Sequence, residues 1–186
     1  MKDCKALVIG GSAGSLDVLL KVLPDLNPLL QFPIIIVLHR KPGKESLLTD
    51  LLSSKTKLSV KEIEEKEEIS PATIYIAPPN YHLLLEKNKT FSLDASEKVN
   101  FSRPSIDVTF ESASEAYHEN LVCLLLSGAN SDGTLGLQKV KNKGGTAVIQ
   151  NPASAIVPFM PEYAMEHVAI DAVLDTEEMA TYINKL

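Results

Sequence analysis

Ala6-Leu7-Val8-Ile9-Gly10-Gly11-Ser12-Ala13-Gly14, with Leu16, Leu19, Leu20 and Leu23 behind it, is the stretch that decides the fold. The apolar run reads as a buried strand. The leucines recur at helical spacing, and the glycines between mark a sharp turn. Strand, tight glycine turn and helix is the setting in which a G-x-S-x-G sequence raises a serine hydroxyl clear of a sheet edge. The helix start behind Ser12 offers unpaired N–H groups to an anion. A serine in such a turn can equally be structural or contact a phosphate. A catalytic reading therefore needs a base, an orienting acid and a groove from elsewhere in the chain.

Further along, Phe32-Pro33-Ile34-Ile35-Ile36-Val37-Leu38 and Leu121 to Leu126 are continuous apolar runs of the kind buried inside parallel sheets. Thr146 to Gln150 and Ala172 to Leu174 read as further strands. Helices are expected from Gly14 to Leu23, Ser46 to Leu52, Ser105 to His118, after Asp132 to Lys143, from Pro161 onward, and over Thr176 to Leu186. Leu58 to Ile63, Thr73 to Ala77, and a hairpin of Tyr81 to Glu86 with Thr90 to Leu93 have no helix between them. They are expected to be antiparallel, beside the main sheet. The fold class is thus α/β: a doubly wound, mostly parallel sheet with an added antiparallel hairpin. Residues 1–186 read as one domain, with no repeat or linker.

Such sheets bind ligands beyond the carboxyl ends of their strands. Ser12, His39 and Asp132 each follow a separate buried run, and so fall on one rim. A serine hydroxyl needs a base, and histidine is suited to that proton transfer near neutral pH. An aspartate behind it fixes the tautomer and stabilises the imidazolium. Backbone N–H groups at Ala13 and around Ala129 are placed to hold a tetrahedral oxyanion. Each residue has a plainer reading: His39 as a strand-end histidine satisfied by a carbonyl, and Asp132, before Gly133, as a helix cap. His82, His118 and His167 read as structural or exposed.

The bulk numbers remove other classes. A net charge of −6 argues against nucleic acid as the main partner. No apolar stretch reaches membrane-spanning length and no secretory signal opens the chain, so a cytoplasmic protein, not membrane-embedded, is expected. Cys4 and Cys123 lie in apolar runs and read as buried free thiols. No residues have metal-ligand spacing. The dinucleotide fingerprint fails because Ser12 and Ser15 occupy its second and third glycine positions. Neither a metal nor a dinucleotide cofactor is expected from these residues.

Six segments together resemble the protein-glutamate methylesterase family, the CheB catalytic domain of bacterial chemotaxis. Val8 to Gly14 resembles its nucleophile turn, and His39 with Pro42-Gly43 its histidine loop. Pro71 to Pro79 with His82-Leu83-Leu84 is similar to its hairpin, and Arg103-Pro104-Ser105-Ile106-Asp107-Val108 to a further signature. Leu126-Ser127-Gly128-Ala129-Asn130-Ser131-Asp132-Gly133 resembles its acid loop, and Gln150 to Ser154 with Met160-Pro161 its last motif. The resemblance implies a serine hydrolase that removes methyl groups from receptor glutamate γ-methyl esters, with water as co-substrate, and deamidates receptor glutamines. Ser12 would be nucleophile, His39 base and Asp132 orienting acid, and the partner a methylated chemoreceptor-like protein. Ala13 stands where the chemotaxis form usually has threonine, and Ala129 where it usually has methionine. Arg40, Lys41 and Lys44 are candidates to meet acidic receptor helices. A receiver domain is expected to be absent, since there is no room for one before Lys5. The competing expectations are a non-catalytic signalling module binding a receptor-like partner through the same cleft, and an esterase for small metabolites.

Overall fold

The computed structural model describes residues 3–40 and 45–186. Lys41, Pro42, Gly43 and Lys44, invoked above for the histidine loop, lie outside the described residues. In chain order the elements are β1 (Ala6–Gly11), α1 (Ser15–Val22), β2 (Ile34–Leu38), α2 (Glu45–Ser53), β3 (Ser59–Glu62), β4 (Thr73–Ile76), β5 (His82–Leu85), β6 (Phe91–Asp94), α3 (Ile106–Tyr117), β7 (Leu121–Leu125), α4 (Thr134–Asn142), β8 (Thr146–Gln150), α5 (Phe159–His167), β9 (Ala172–Leu174) and α6 (Thr176–Ile183).

Seven strands form one sheet in the order β3-β4-β2-β1-β7-β8-β9. Every pairing in it is parallel. Alternation along β1 explains the two layers. Leu7 and Ile9 face α1, α2 and α6, packing with Val18, Leu19, Leu52, Met179 and Ile183. Ala6 and Val8 face α3, α4, α5 and the β5–β6 hairpin, packing with Phe110, Leu137, Met160 and Phe91. The chain winds outward from β1 in one direction through β2 and in the other from β7. The crevice between the ends of β1 and β7 is therefore the switch point where such sheets receive ligands.

Two expectations are corrected. β3 and β4 are not antiparallel strands beside the sheet; they are parallel members of it, with Val60 opposite Ile74. A parallel connection normally uses a helix. Here the chain between β3 and β4 runs along the edge of β6. Lys66 N–H donates to Phe91 O at 2.9 Å, Phe91 N–H to Glu67 O at 3.0 Å, and Ile69 N–H to Lys89 O at 3.0 Å. The hairpin satisfies the crossover's backbone and covers the sheet, so no helix is needed. Only β5 and β6 pair antiparallel among the named strands. The second correction concerns α5, which begins at Phe159 and not at Pro161. Proline is tolerated inside that first turn because its missing N–H is one that would have no partner in the helix.

Candidate active site

The elbow forms as its sequence dictates. Gly14, at φ 84°, turns the chain into α1 without the steric cost a side chain would carry. Ser15 Oγ donates to Ser12 O, closing the turn locally. Ser127, fully buried after β7, ties the elbow to the neighbouring loops. Its carbonyl accepts from Ser12 N–H at 2.9 Å, and its hydroxyl donates to Ala13 O at 2.7 Å and accepts from Val157 N–H at 2.9 Å. Gln150 Oε1, at the end of β8, holds Ser127 N–H at 2.9 Å. Gly128 passes so close that a Cβ there would sit 3.0 Å from Ser12 Cβ and 2.4 Å from Met160 Cε. A side chain there would push the Met160 thioether aside and crowd the serine.

Parallel register places His39 beside Ser12. Gly11 pairs with Leu38, and His39 N–H continues the ladder to Gly11 O at 3.1 Å. The imidazole Nε2 lies 2.7 Å from Asp132 Oδ2. An ionised carboxylate there favours the proton on Nε2, which leaves the lone pair on Nδ1. Ser102 Oγ lies 3.5 Å from Nδ1. Ser12 is half-buried, and its hydroxyl makes no hydrogen bond among the described residues. The N–H groups of Ala13 and Ala129 likewise donate to no protein acceptor there, and both residues are exposed.

Asp132 is fully buried. Besides His39, its Oδ2 accepts from Ile106 N–H at 2.7 Å. Its Oδ1 accepts from Ser105 Oγ at 2.9 Å, Asp107 N–H at 3.1 Å and Asn100 Nδ2 at 3.1 Å. The expected helix cap is thus present, but on another helix: Asp132 precedes α4 and caps α3. The reverse also holds. Asp107, in the first turn of α3, accepts through Oδ1 from Gly133 N–H at 2.9 Å and Gly136 N–H at 2.7 Å, and so caps α4. Asn100 Nδ2 bridges the two acids, reaching Asp107 Oδ2 at 2.8 Å.

Burial alone would raise the pKa of Asp132. The donors from His39, Ile106, Asn100 and Asp107 outweigh it and hold the carboxyl well below the usual range. Burial and the nearby Asp132 charge push Asp107 upward, against the opposing donors from Gly136, Asn100 and Gly133. Asn100, Ser105 and Asp107 escaped the sequence reading as site residues. The one available signal is the Arg103-Pro104-Ser105-Ile106-Asp107 segment, whose similarity to a family signature carries no residue role. Replacing Asn100 by alanine leaves each acid one donor short; unfolding stability should fall by about 1.5–3 kcal/mol in a urea titration.

His82 is structural, as expected: it is buried, with Nε2 on Glu97 O at 2.8 Å and Nδ1 accepting from Ser105 N–H at 3.1 Å. Cys4 and Cys123 are buried free thiols. A cavity of about 350 Å³ opens on His39, lined also by Arg40, Asn80, Lys98, Phe101, Ser102 and Arg103. A larger one of about 480 Å³, lined by Lys5, Pro33, Lys89 and Tyr117 among others, lies at the amino ends of the strands, away from the rim. No group of three or more metal-ligating side chains gathers among the described residues, nor is any helix there long and apolar enough to cross a membrane.

Fold and site define a class: a doubly wound α/β protein presenting a serine, a histidine and a carboxylate together at the carboxyl rim of a parallel sheet. The chain belongs to the CheB methylesterase family, whose model matches residues 7–183. A relative in Leptospira interrogans, named as a candidate protein-glutamate methylesterase/protein-glutamine glutaminase, is 47% identical over 98% of this chain and 94% of its own length. The Thermotoga maritima protein-glutamate methylesterase/protein-glutamine glutaminase is 38% identical over 91% of this chain and 50% of its own length. The crystal structure of the Thermotoga maritima CheB methylesterase catalytic domain superposes with a TM-score of 0.94 at 35% identity, covering 98% of each chain.

Proposed function

We propose that this chain is a serine hydrolase that removes methyl groups from glutamate γ-methyl esters of a chemoreceptor-like protein and deamidates its glutamines. The observation that carries this reading is the His39 ring: Nε2 lies 2.7 Å from the buried Asp132 carboxylate, at the rim where the Ser12 hydroxyl makes no hydrogen bond among the described residues. Family membership and the names of the relatives support the choice of ester.

In the mechanism, Ser12 Oγ attacks the ester carbonyl as its proton passes to His39 Nδ1. The tetrahedral oxyanion accepts from Ala13 and Ala129 N–H, donors with no competing partner among the described residues. His39 then gives the proton to the departing methoxy oxygen, and methanol leaves an acyl-Ser12. Water, deprotonated by the same nitrogen, attacks the acyl group and releases glutamate. With a glutamine side chain, ammonia leaves instead. Asp132 remains ionised throughout and stabilises the imidazolium. The unpaired thiols Cys4 and Cys123 are consistent with a reducing compartment, and the proposal includes a cytoplasmic setting.

The test is methanol release from a receptor fragment carrying glutamate γ-methyl esters, beside labelling with a fluorophosphonate probe. Methanol should appear and the label should map to Ser12. No methanol from several methylated receptors, together with an unlabelled Ser12, would overturn the proposal.

A further inference from the structure

Residues Val99 to Ser102 form a tight two-residue turn at the mouth of the His39 cavity. Val99 N–H donates to Ser102 O at 3.2 Å and Ser102 N–H to Val99 O at 2.9 Å. Its central residues, Asn100 and Phe101, have φ of 50° and 60°. Asparagine tolerates that region, and its amide is anchored on Asp107 and Asp132. Phenylalanine does not; the second position of such a turn ordinarily takes glycine. The Phe101 ring is 98% exposed, so folding recovers nothing from it. A bulky aromatic is therefore kept in a strained conformation, in water, at the edge of the cavity containing the base. The chain gains from that only when something covers the ring.

The surrounding charge says what the cover is. Among the described residues the cavity is lined by Arg40, Lys98 and Arg103 and by no acidic side chain, although the whole protein carries a net charge of −6. Arg40 Nη2 is engaged by Glu62 and Ala77 O, and Arg103 Nη1 by Ala95 O and Ser96 O. Arg40 Nη1, Arg103 Nη2 and the Lys98 ammonium have no protein partner among the described residues. We propose that Phe101 and these cations form the docking face for an acidic segment of the protein substrate. Phe101 is covered by an apolar side chain of that segment, while its carboxylates pair with Arg40, Lys98 and Arg103. The proposal rests on the hydrolase reading for the identity of the partner as the substrate protein. It deepens that reading by making this face a determinant of specificity.

Docking is measured without turnover, by fluorescence anisotropy of the full chain with a labelled glutamate-rich peptide bearing one leucine and no methyl ester, while methanol release is followed separately on the methyl-esterified peptide. Burying one phenylalanine ring is worth about ten- to hundredfold in affinity. Phe101→Gly should therefore raise Kd at least tenfold, while its unfolding stability rises because the strained turn gains its preferred residue. Arg103→Gln should raise Kd about threefold or more and weaken its salt dependence. Leu29→Ser, at a residue 74% exposed before β2, is the surface control and should leave Kd unchanged. An unchanged Kd in Phe101→Gly, no binding by the wild type, or equal binding of a single-stranded oligonucleotide would overturn the proposal. Tight, Phe101-dependent binding without methanol release would instead sink the hydrolase reading and leave the docking face standing.

Discussion

Replacing Ser12 by alanine should lower kcat for methyl-ester hydrolysis by about 10⁶-fold, to the level set by the remaining site. The size follows from the role: without Oγ no acyl intermediate forms, and His39 Nδ1 has no nucleophile to deprotonate. Loss of fold is a poor alternative explanation, because the Ser12 hydroxyl makes no hydrogen bond within the described protein. Alanine keeps the Cβ against which Gly128 packs. Unfolding free energy should thus stay within about 0.5 kcal/mol of wild type. Single-turnover methanol release and a urea titration on the same preparation separate the two effects. Residual activity above about 1% of wild type would assign the nucleophile elsewhere.

Asp132→Asn should be nearly as damaging, and it should damage folding too. Two donors converge on Oδ2 and three on Oδ1. An amide can present only one oxygen. If its NH₂ faces His39, the imidazole must shift its proton to Nδ1 and the base is lost. If the NH₂ faces the other way, Ser105, Asn100 and the Asp107 N–H lose their acceptor and α3 loses part of its cap. We expect kcat to fall about 10⁴-fold, the scale of this exchange in other Ser-His-Asp sites. Stability should fall by about 2–5 kcal/mol. The carboxyl's pKa is lowered in the fold. Its stabilising contribution is therefore fully present above the unfolded value of about 3.9 and is lost as pH falls through the lower native value. The stability gap between wild type and variant should accordingly close on acidification below about pH 4. A gap that stays constant to low pH would show that Asp132 is not the ionised acceptor described.

Much of this is legible in the sequence. The positions of Ser12, His39 and Asp132 at one rim follow from three apolar runs that end just before them, because buried parallel strands impose little other patterning. The β3–β4 crossover was misread because the hairpin that replaces its helix lies downstream in sequence, and no local pattern announces the pairing of 66–69 with β6. Asn100 and Asp107 were missed for a related reason. Apart from the bond between the two, their partners lie about 25 to 32 residues away around the start of α4, and such long-range hydrogen bonds leave no periodicity. Asp132 was weighed as a cap for the helix it precedes; its carboxylate turned to the neighbouring one, a choice only the packing of α3 on α4 could reveal.

That exchange of caps has a consequence for how the site fails. Ile106 and Asp107 N–H depend on the loop before α4, while Gly133 and Gly136 N–H depend on the first turn of α3. Neither helix start can fray alone without stranding an acid that belongs to the other. The two starts therefore open as one cooperative unit, and the carboxylate behind His39 has no cheap local excursion available to it. At this rim the Asp132 carboxylate is fixed by five hydrogen bonds, whereas the Ser12 hydroxyl makes none among the described residues.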